Sequence, residues 1–144
     1  MRQPESTPVI GRDRYDAVLL DLDGVITDTA SIHAACWKQM FDEYLQSRAT
    51  QRGEAFRPFD IATDYLLYVD GKPRYDGVRD FLASRGIRLP EGRPDDPPQT
   101  ETVDGLGNRK NDLVNKIIEA KGVEPYAGSV ELIRQLRDRG FNEL

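Results

Sequence analysis

The hydrophobic positions of the chain follow a helical period over most of its length. From Thr29 to Ser47, apolar residues recur every three to four positions, as on the buried face of an amphipathic helix. Further helices are predicted over residues 60–69, with Asp60 as N-cap, over 76–86, over 109–121 and over 127–140. The Pro-, Gly- and acid-rich segment 89–108 predicts a long loop, of a length that is often functional or mobile.

One segment departs from the helical pattern. In "DAVLLDLDG" the run from Ala17 to Leu20 is apolar at every position, which is typical of a strand in a parallel sheet covered on both faces. Gly24 then ends the predicted strand. Since a single strand cannot form a sheet, the sequence predicts a buried strand that has no partner in this chain.

Composition narrows the function classes. The chain has 144 residues with 38% hydrophobic content, which suits one or two small domains. Its net charge of -5 argues against a general nucleic-acid binder. No apolar run reaches the ~20 residues of a membrane span, and the N-terminus lacks a signal-peptide core. The single cysteine, Cys36, excludes an internal disulfide, so we expect a cytoplasmic location.

Two acids follow the predicted strand. Asp21 and Asp23 stand two residues apart, so their carboxylates point to the same side of an extended chain and repel each other. A hard dication such as Mg²⁺ relieves that repulsion, after which one carboxylate can attack phosphorus and the other can move a proton. Solvated surface acids and the metal-holding Asp-x-Asp of sugar-nucleotide transferases are alternatives. The glycine is at the fourth position, which excludes an EF-hand loop.

The wider motif has a family resemblance. "DLDGVITDTASIHAACWKQMF" resembles the opening of haloacid-dehalogenase-superfamily phosphotransferases, in particular the β-phosphoglucomutase-like branch. The resemblance implies an α/β fold, a Rossmannoid core with an inserted helical cap. Only the first core strand and a returning helix are expected here, so the chain should be mostly helical. The implied division is a polar leader (1–14), a partial core (15–28 and 123–144) and a cap (29–122).

The resemblance also assigns roles to residues of the first motif. Asp21 would be the nucleophile that becomes an aspartyl phosphate and Asp23 the general acid/base, and Asp21 together with the backbone carbonyl of Asp23 would hold Mg²⁺. His33 and Trp37 match the histidine and tryptophan of the first cap helix, where the histidine couples cap closure to proton transfer and the tryptophan lines the sugar site. An ordinary helix histidine and a core tryptophan are the alternatives.

Two further segments match the cap of the family. "DGVR", with Gly77, Val78 and Arg79, resembles the loop whose arginine holds the distal phosphate of a sugar bisphosphate. "NRKND" resembles the segment that touches the substrate, through Lys110 and Asn111. Solvated surface charges are the alternatives for Arg79 and Lys110.

The implied reaction is the isomerisation of β-glucose 1-phosphate to glucose 6-phosphate through a bisphosphate, or the hydrolysis of a related sugar phosphate. The partner is then a small sugar phosphate, with no nucleic acid and no membrane. The family's remaining phosphate and metal ligands are expected beyond Phe141. Two alternatives follow: a non-catalytic fragment, or a module that associates with a chain supplying the missing core.

Overall fold

The computed structural model describes residues 10–141, so the first nine residues of the predicted leader lie outside the described range. This part of the chain is mostly helical, as predicted. Its elements are α1 (Ala30–Arg52), a π-helix (Tyr65–Val69), α2 (Arg74–Ser84), α3 (Val103–Lys121) and α4 (Ala127–Asp138). Within residues 10–141, β-structure is limited to isolated bridges that join Thr27 to Asp23 and to Pro125. No helix in the same range is long and apolar enough to cross a membrane.

Three of the predicted helices form close to their expected positions. Helix α1 begins as predicted and continues to Arg52. Helices α2 and α4 end just before Gly86 and Gly140, which adopt the positive φ angles of +69° and +85° that glycine tolerates.

The helix predicted over residues 60–69 is wrong in type. Asp60 is not the N-cap of this segment: Asp64 holds that position without a side-chain cap, and Oδ1 of Asp60 accepts from the N–H groups of Ala62 (2.7 Å) and Thr63 (3.1 Å) in the preceding turn. The segment then forms a π-helix, in which the Asp70 N–H donates to the carbonyl of Tyr65 at 2.9 Å. This five-residue spacing is wider than that of an α-helix.

Helix α3 begins earlier than the sequence predicts, at Val103 instead of Arg109. The Thr102 side chain caps it by accepting a hydrogen bond from the Gly105 N–H at 2.9 Å. Gly105 and Gly107 indicate a loop in the sequence, yet both lie in the helix, and the close packing around each explains why it has no side chain. A Cβ at Gly107 would lie 2.6 Å from the Tyr75 ring.

The predicted buried strand at Ala17–Leu20 is wrong. The segment has no strand assignment, and Leu19 is 94% exposed. No backbone hydrogen bond joins these four residues to any other described residue. The physical reason is the one the sequence indicates: strand pairing needs a neighbouring strand, and residues 10–141 contain none.

The described residues form two compact units. The first unit comprises residues 10–29 together with 123–141, and the second unit is Ala30–Gly122. The second unit contains an aromatic core. Phe41 lies between Trp37 and Phe59, with ring centroids 5.3 Å from each, and Phe81 approaches Phe41 to 4.2 Å. Phe41 and Phe81 are completely buried.

We expect Phe81→Ala to lower the free energy of unfolding of the second unit by about 3–5 kcal/mol, because it removes a ring from a closely packed core. Urea unfolding followed by the fluorescence of Trp37, the single tryptophan, measures it. Leu66→Ala is the matched control, since Leu66 is 67% exposed and its loss should cost less than ~0.5 kcal/mol. Equal effects of the two substitutions would contradict this description of the core.

Candidate active site

The loop that carries the two aspartates folds back on itself. The carbonyl of Leu22 accepts hydrogen bonds from the N–H groups of Ile26 and Thr27 and from the Thr27 hydroxyl, at 3.0, 3.0 and 3.1 Å. Gly24 makes the turn possible with a φ of +75°, and its N–H donates to the Thr27 carbonyl at 2.8 Å. The turn therefore fixes the backbone on both sides of Asp23.

A threonine side chain bonds to the second aspartate. The Thr29 hydroxyl donates to Oδ1 of Asp23 at 2.5 Å, and it lies 3.1 Å from the Thr27 hydroxyl. Thr29 is buried, whereas Asp21 and Asp23 are exposed. Asp21 accepts a hydrogen bond from the Leu22 N–H at 2.9 Å. Thr27 and Thr29 both lie within the quoted motif but were not among the site residues predicted from the sequence.

The start of α4 is bonded to the same loop. The Tyr126 hydroxyl donates to Asp28 at 3.0 Å, and the Ser129 hydroxyl donates to the Val25 carbonyl at 2.6 Å. The hydrogen bond to the Asp28 carboxylate raises the pKa of Tyr126, so the phenol keeps its proton and remains a donor. Residues far apart in the sequence thus stabilise the aspartate loop within the first unit.

In the second unit, a buried lysine connects α3 to α1. Lys110 is only 7% exposed, its Nζ lies 2.8 Å from Nδ1 of His33, and it lies 5.1 Å from the centroid of the Trp37 ring. A lysine ammonium can only donate, so a hydrogen bond from a protonated Lys110 requires Nδ1 of His33 to be the acceptor. Burial raises the pKa of the neighbouring Cys36 thiol, and the charge of Lys110 opposes that shift.

Of the three residues predicted from "DGVR", Gly77 packs against the cluster of Lys110, His33 and Trp37. Val78 and Arg79 lie elsewhere. A Cβ at Gly77 would lie 3.3 Å from the Trp37 ring and from the Val69 side chain, so the glycine lets the indole pack against α2. Val78 is completely buried in the aromatic core. Asn111, the neighbour of Lys110, is half-buried.

Arg79 is engaged by acids. Its exposed guanidinium donates to Asp76 at 2.5 Å and to both carboxylate oxygens of Glu91, at 3.1 and 2.7 Å. These bonds raise the pKa of Arg79 and hold the pKa of Glu91 below its usual value. The positive charge of Arg79 is therefore neutralised within the second unit.

Arg74 is a cation that the sequence analysis missed. It is half-buried at the first position of α2 and forms no ion pair with an acid in the described part of the chain. Its guanidinium lies 4.8 Å from the centroid of the Tyr75 ring, and its buried Nε has no hydrogen-bond partner among the described residues. The sequence predicts that this helix begins at Asp76, which would place Arg74 in the preceding turn and not on the helix.

Comparison with known proteins places these features in a family. Residues 15–144 match the family model described as a haloacid dehalogenase-like hydrolase. The chain is 57% identical over 129 residues to proteins named β-phosphoglucomutase from Mycobacterium bovis and Mycobacterium tuberculosis, a match that covers 90% of this chain and 49% of each relative. An uncharacterized glycosyl hydrolase of M. tuberculosis is 38% identical over 130 residues, which cover 87% of this chain and 10% of that protein.

The chain spans about half the length of the β-phosphoglucomutases that it matches. Their similarity agrees with the branch that the "DLDGVITDT" motif and the following helix predict. The family match covers almost the whole sequence, including the aspartate loop, the second unit and α4. On this evidence the chain belongs to the haloacid dehalogenase-like hydrolase family.

Proposed function

We propose that this chain is a phosphotransferase that converts β-glucose 1-phosphate to glucose 6-phosphate through an aspartyl phosphate, in the cytoplasm. The observation that carries the proposal is the cluster of Lys110, His33 and Trp37 in the second unit. An aromatic face beside a buried cation suits a ligand that has both a sugar ring and a phosphate. The 57% identity to proteins named β-phosphoglucomutase supports it.

The two aspartates would divide the chemistry. Asp21 attacks the phosphorus of a sugar bisphosphate and forms a P–O bond, while the bond to the sugar oxygen breaks and Asp23 protonates that oxygen. A hydroxyl of the next sugar phosphate molecule then attacks the aspartyl phosphate and gives its proton to Asp23. This step transfers the phosphoryl group to the sugar and releases Asp21. The bond from the Thr29 hydroxyl would orient the Asp23 carboxylate for these proton transfers.

The donor chemistry of the loop fits Mg²⁺. Asp21 would supply a carboxylate oxygen and Asp23 its backbone carbonyl oxygen, both of the kind that this cation prefers, and both residues are exposed. Among residues 10–141 no cluster of three potential metal ligands forms, which leaves room for the waters and substrate oxygens that commonly complete a Mg²⁺ shell. When bound, the ion would neutralise the negative charge of the transferring phosphoryl group.

The cations of the second unit would bind the phosphate of the substrate. Lys110 is one candidate, and Arg74 is the second because no acid in the described residues neutralises it. Arg79 is the weaker candidate, since Asp76 and Glu91 already satisfy its charge. Trp37 would contact the sugar ring.

We expect the chain, with Mg²⁺ and a catalytic amount of glucose 1,6-bisphosphate, to form glucose 6-phosphate from β-glucose 1-phosphate. Asp21→Asn should lower this rate at least ~10³-fold, because it removes the nucleophile. A coupled assay that oxidises glucose 6-phosphate measures the rate, and phosphate release measured in parallel identifies a phosphatase.

Asp13→Asn is the matched control for this substitution. Asp13 is an exposed acid of the same unit, and its change should leave the rate within about twofold. No glucose 6-phosphate from the unmodified chain, or equal rates for the Asp21 variant and the unmodified chain, would contradict the proposed reaction.

Lys110→Met should weaken glucose 6-phosphate binding by about 10- to 100-fold, the usual cost of losing a hydrogen bond to a charged group. Methionine keeps much of the side-chain volume, so the aromatic core is retained. Titration followed by Trp37 fluorescence measures the dissociation constant.

Lys116→Met, an exposed position of the same helix, is the control and should leave the affinity unchanged. Circular dichroism checks that both variants fold. If the Lys110 variant binds as tightly as the unmodified chain, Lys110 has no role in phosphate recognition.

The first unit favours a second candidate function, a module that another polypeptide completes. The first unit contains an apolar groove of about 460 Å³. It is lined by Ala17–Leu20, by α4 residues that include Leu136, and by Phe141. The backbone of Ala17–Leu20 bonds to no other described residue, so it offers donors and acceptors to an added strand. Its proposed occupant is a polypeptide equivalent to the half of the relatives that this chain does not span.

This candidate predicts slower amide exchange at Ala17–Leu20 when that half of the M. tuberculosis relative is added. Hydrogen–deuterium exchange with mass spectrometry measures the effect. Leu19→Asp should abolish the protection by placing a charge in the groove, whereas Leu66→Asp, an exposed leucine of the second unit, should not. Unchanged exchange in the mixture would exclude this partner.

A further inference from the structure

Asn108 connects the long loop before α3 to the start of α2. Its Nδ2 donates to the carbonyls of Pro94 and Asp96, at 3.0 and 2.9 Å. Its Oδ1 accepts from the Tyr75 hydroxyl at 2.9 Å and, more weakly, from Nη2 of Arg74 at 3.4 Å. One amide side chain thus bonds to two separate segments of the second unit.

These partners fix the orientation of the Asn108 amide. Backbone carbonyls can only accept and a guanidinium can only donate, so exchanging the oxygen and nitrogen would break three of the four contacts. Tyr75 also has a fixed position, because its ring packs against Gly107 where no larger residue fits. The amide is therefore a rigid support and not a rotating surface group.

Arg74 depends on this support. Nη2 donates to the Tyr75 hydroxyl at 2.9 Å as well as to Asn108, and the guanidinium lies over the Tyr75 ring. Neither of these partners carries a negative charge. Arg74 is consequently held in one orientation without being neutralised, whereas Arg79 on the same helix is neutralised by two acids.

We propose that Asn108 is a positioning residue that pre-orients Arg74 for the phosphate of the substrate. The proposal rests on the proposed function, since it deepens the role given there to Arg74. An arginine already held in its binding orientation loses less conformational freedom when the anion binds, so the affinity is higher. The loop at Pro94–Asp96 takes part by holding Asn108 from its other side.

A double-mutant cycle separates this role from a merely structural one. The four proteins are the unmodified chain, Asn108→Ala, Arg74→Gln and the double variant, and the probe is glucose 6-phosphate. If Asn108 acts through Arg74, Asn108→Ala weakens binding about 3- to 10-fold in the unmodified chain and less than twofold when Arg74 is already glutamine. The same loss in both backgrounds overturns the proposal.

Asn115→Ala is the matched control, since Asn115 is an exposed asparagine of the same helix. It should leave the affinity unchanged. Asn108→Asp sharpens the test, because its carboxylate would give Arg74 an acidic partner that competes with the phosphate. We expect it to weaken binding more than Asn108→Ala, and a smaller effect contradicts the proposal.

A spectroscopic measurement without ligand distinguishes failure of this inference from failure of the proposed function. The buried Nε–H of Arg74 should give a slowly exchanging ¹H–¹⁵N signal that Asn108→Ala removes and Asn115→Ala retains. An unchanged signal in Asn108→Ala overturns the positioning role. If the signal is lost as expected but glucose 6-phosphate does not bind the unmodified chain, the positioning of Arg74 stands and the proposed substrate is wrong.

Discussion

The second unit is organised around a buried positive charge. Removing a lysine ammonium from water is costly unless hydrogen bonds and an electron-rich surface replace the lost hydration. Lys110 has both, since His33 lies within hydrogen-bonding distance and the Trp37 ring lies near it. Because His33 and Trp37 are both on α1, this requirement also fixes the register between α1 and α3.

The aromatic core holds that arrangement in place. Trp37 faces Lys110 and also stacks on Phe41, which in turn packs against Phe81 of α2. The indole is therefore part of the core, only 4% exposed, and lies beside Lys110. Of the two alternatives that the sequence left open for Trp37, the structure shows the core residue, and contact with a ligand stays a prediction.

Patterns within one element could be predicted, and contacts between elements could not. The helical period gave α1 and α4, and the aspartate motif gave the family. The start of α3 was missed because Gly105 and Gly107 are favoured in loops, and only their packing against Thr100 and Tyr75 shows why glycine is needed there. The sequence does not distinguish the roles of Arg74 and Arg79. The structure does, because Arg79 pairs with acids and Arg74 bonds to neutral groups.

The apolar segment Ala17–Leu20 is a second case in which the sequence pattern did not predict the contacts between segments. Its pattern is typical of a strand interior, yet a pattern specifies only what a segment can bury, and burial requires a surface to pack against. In the described residues Leu19 has no such surface and stays exposed. The aspartate loop that follows keeps its shape nevertheless, because its hydrogen bonds come from Thr27, Thr29 and the start of α4 and not from a sheet. The local geometry around Asp23 is thus maintained in the described residues without a paired strand before it.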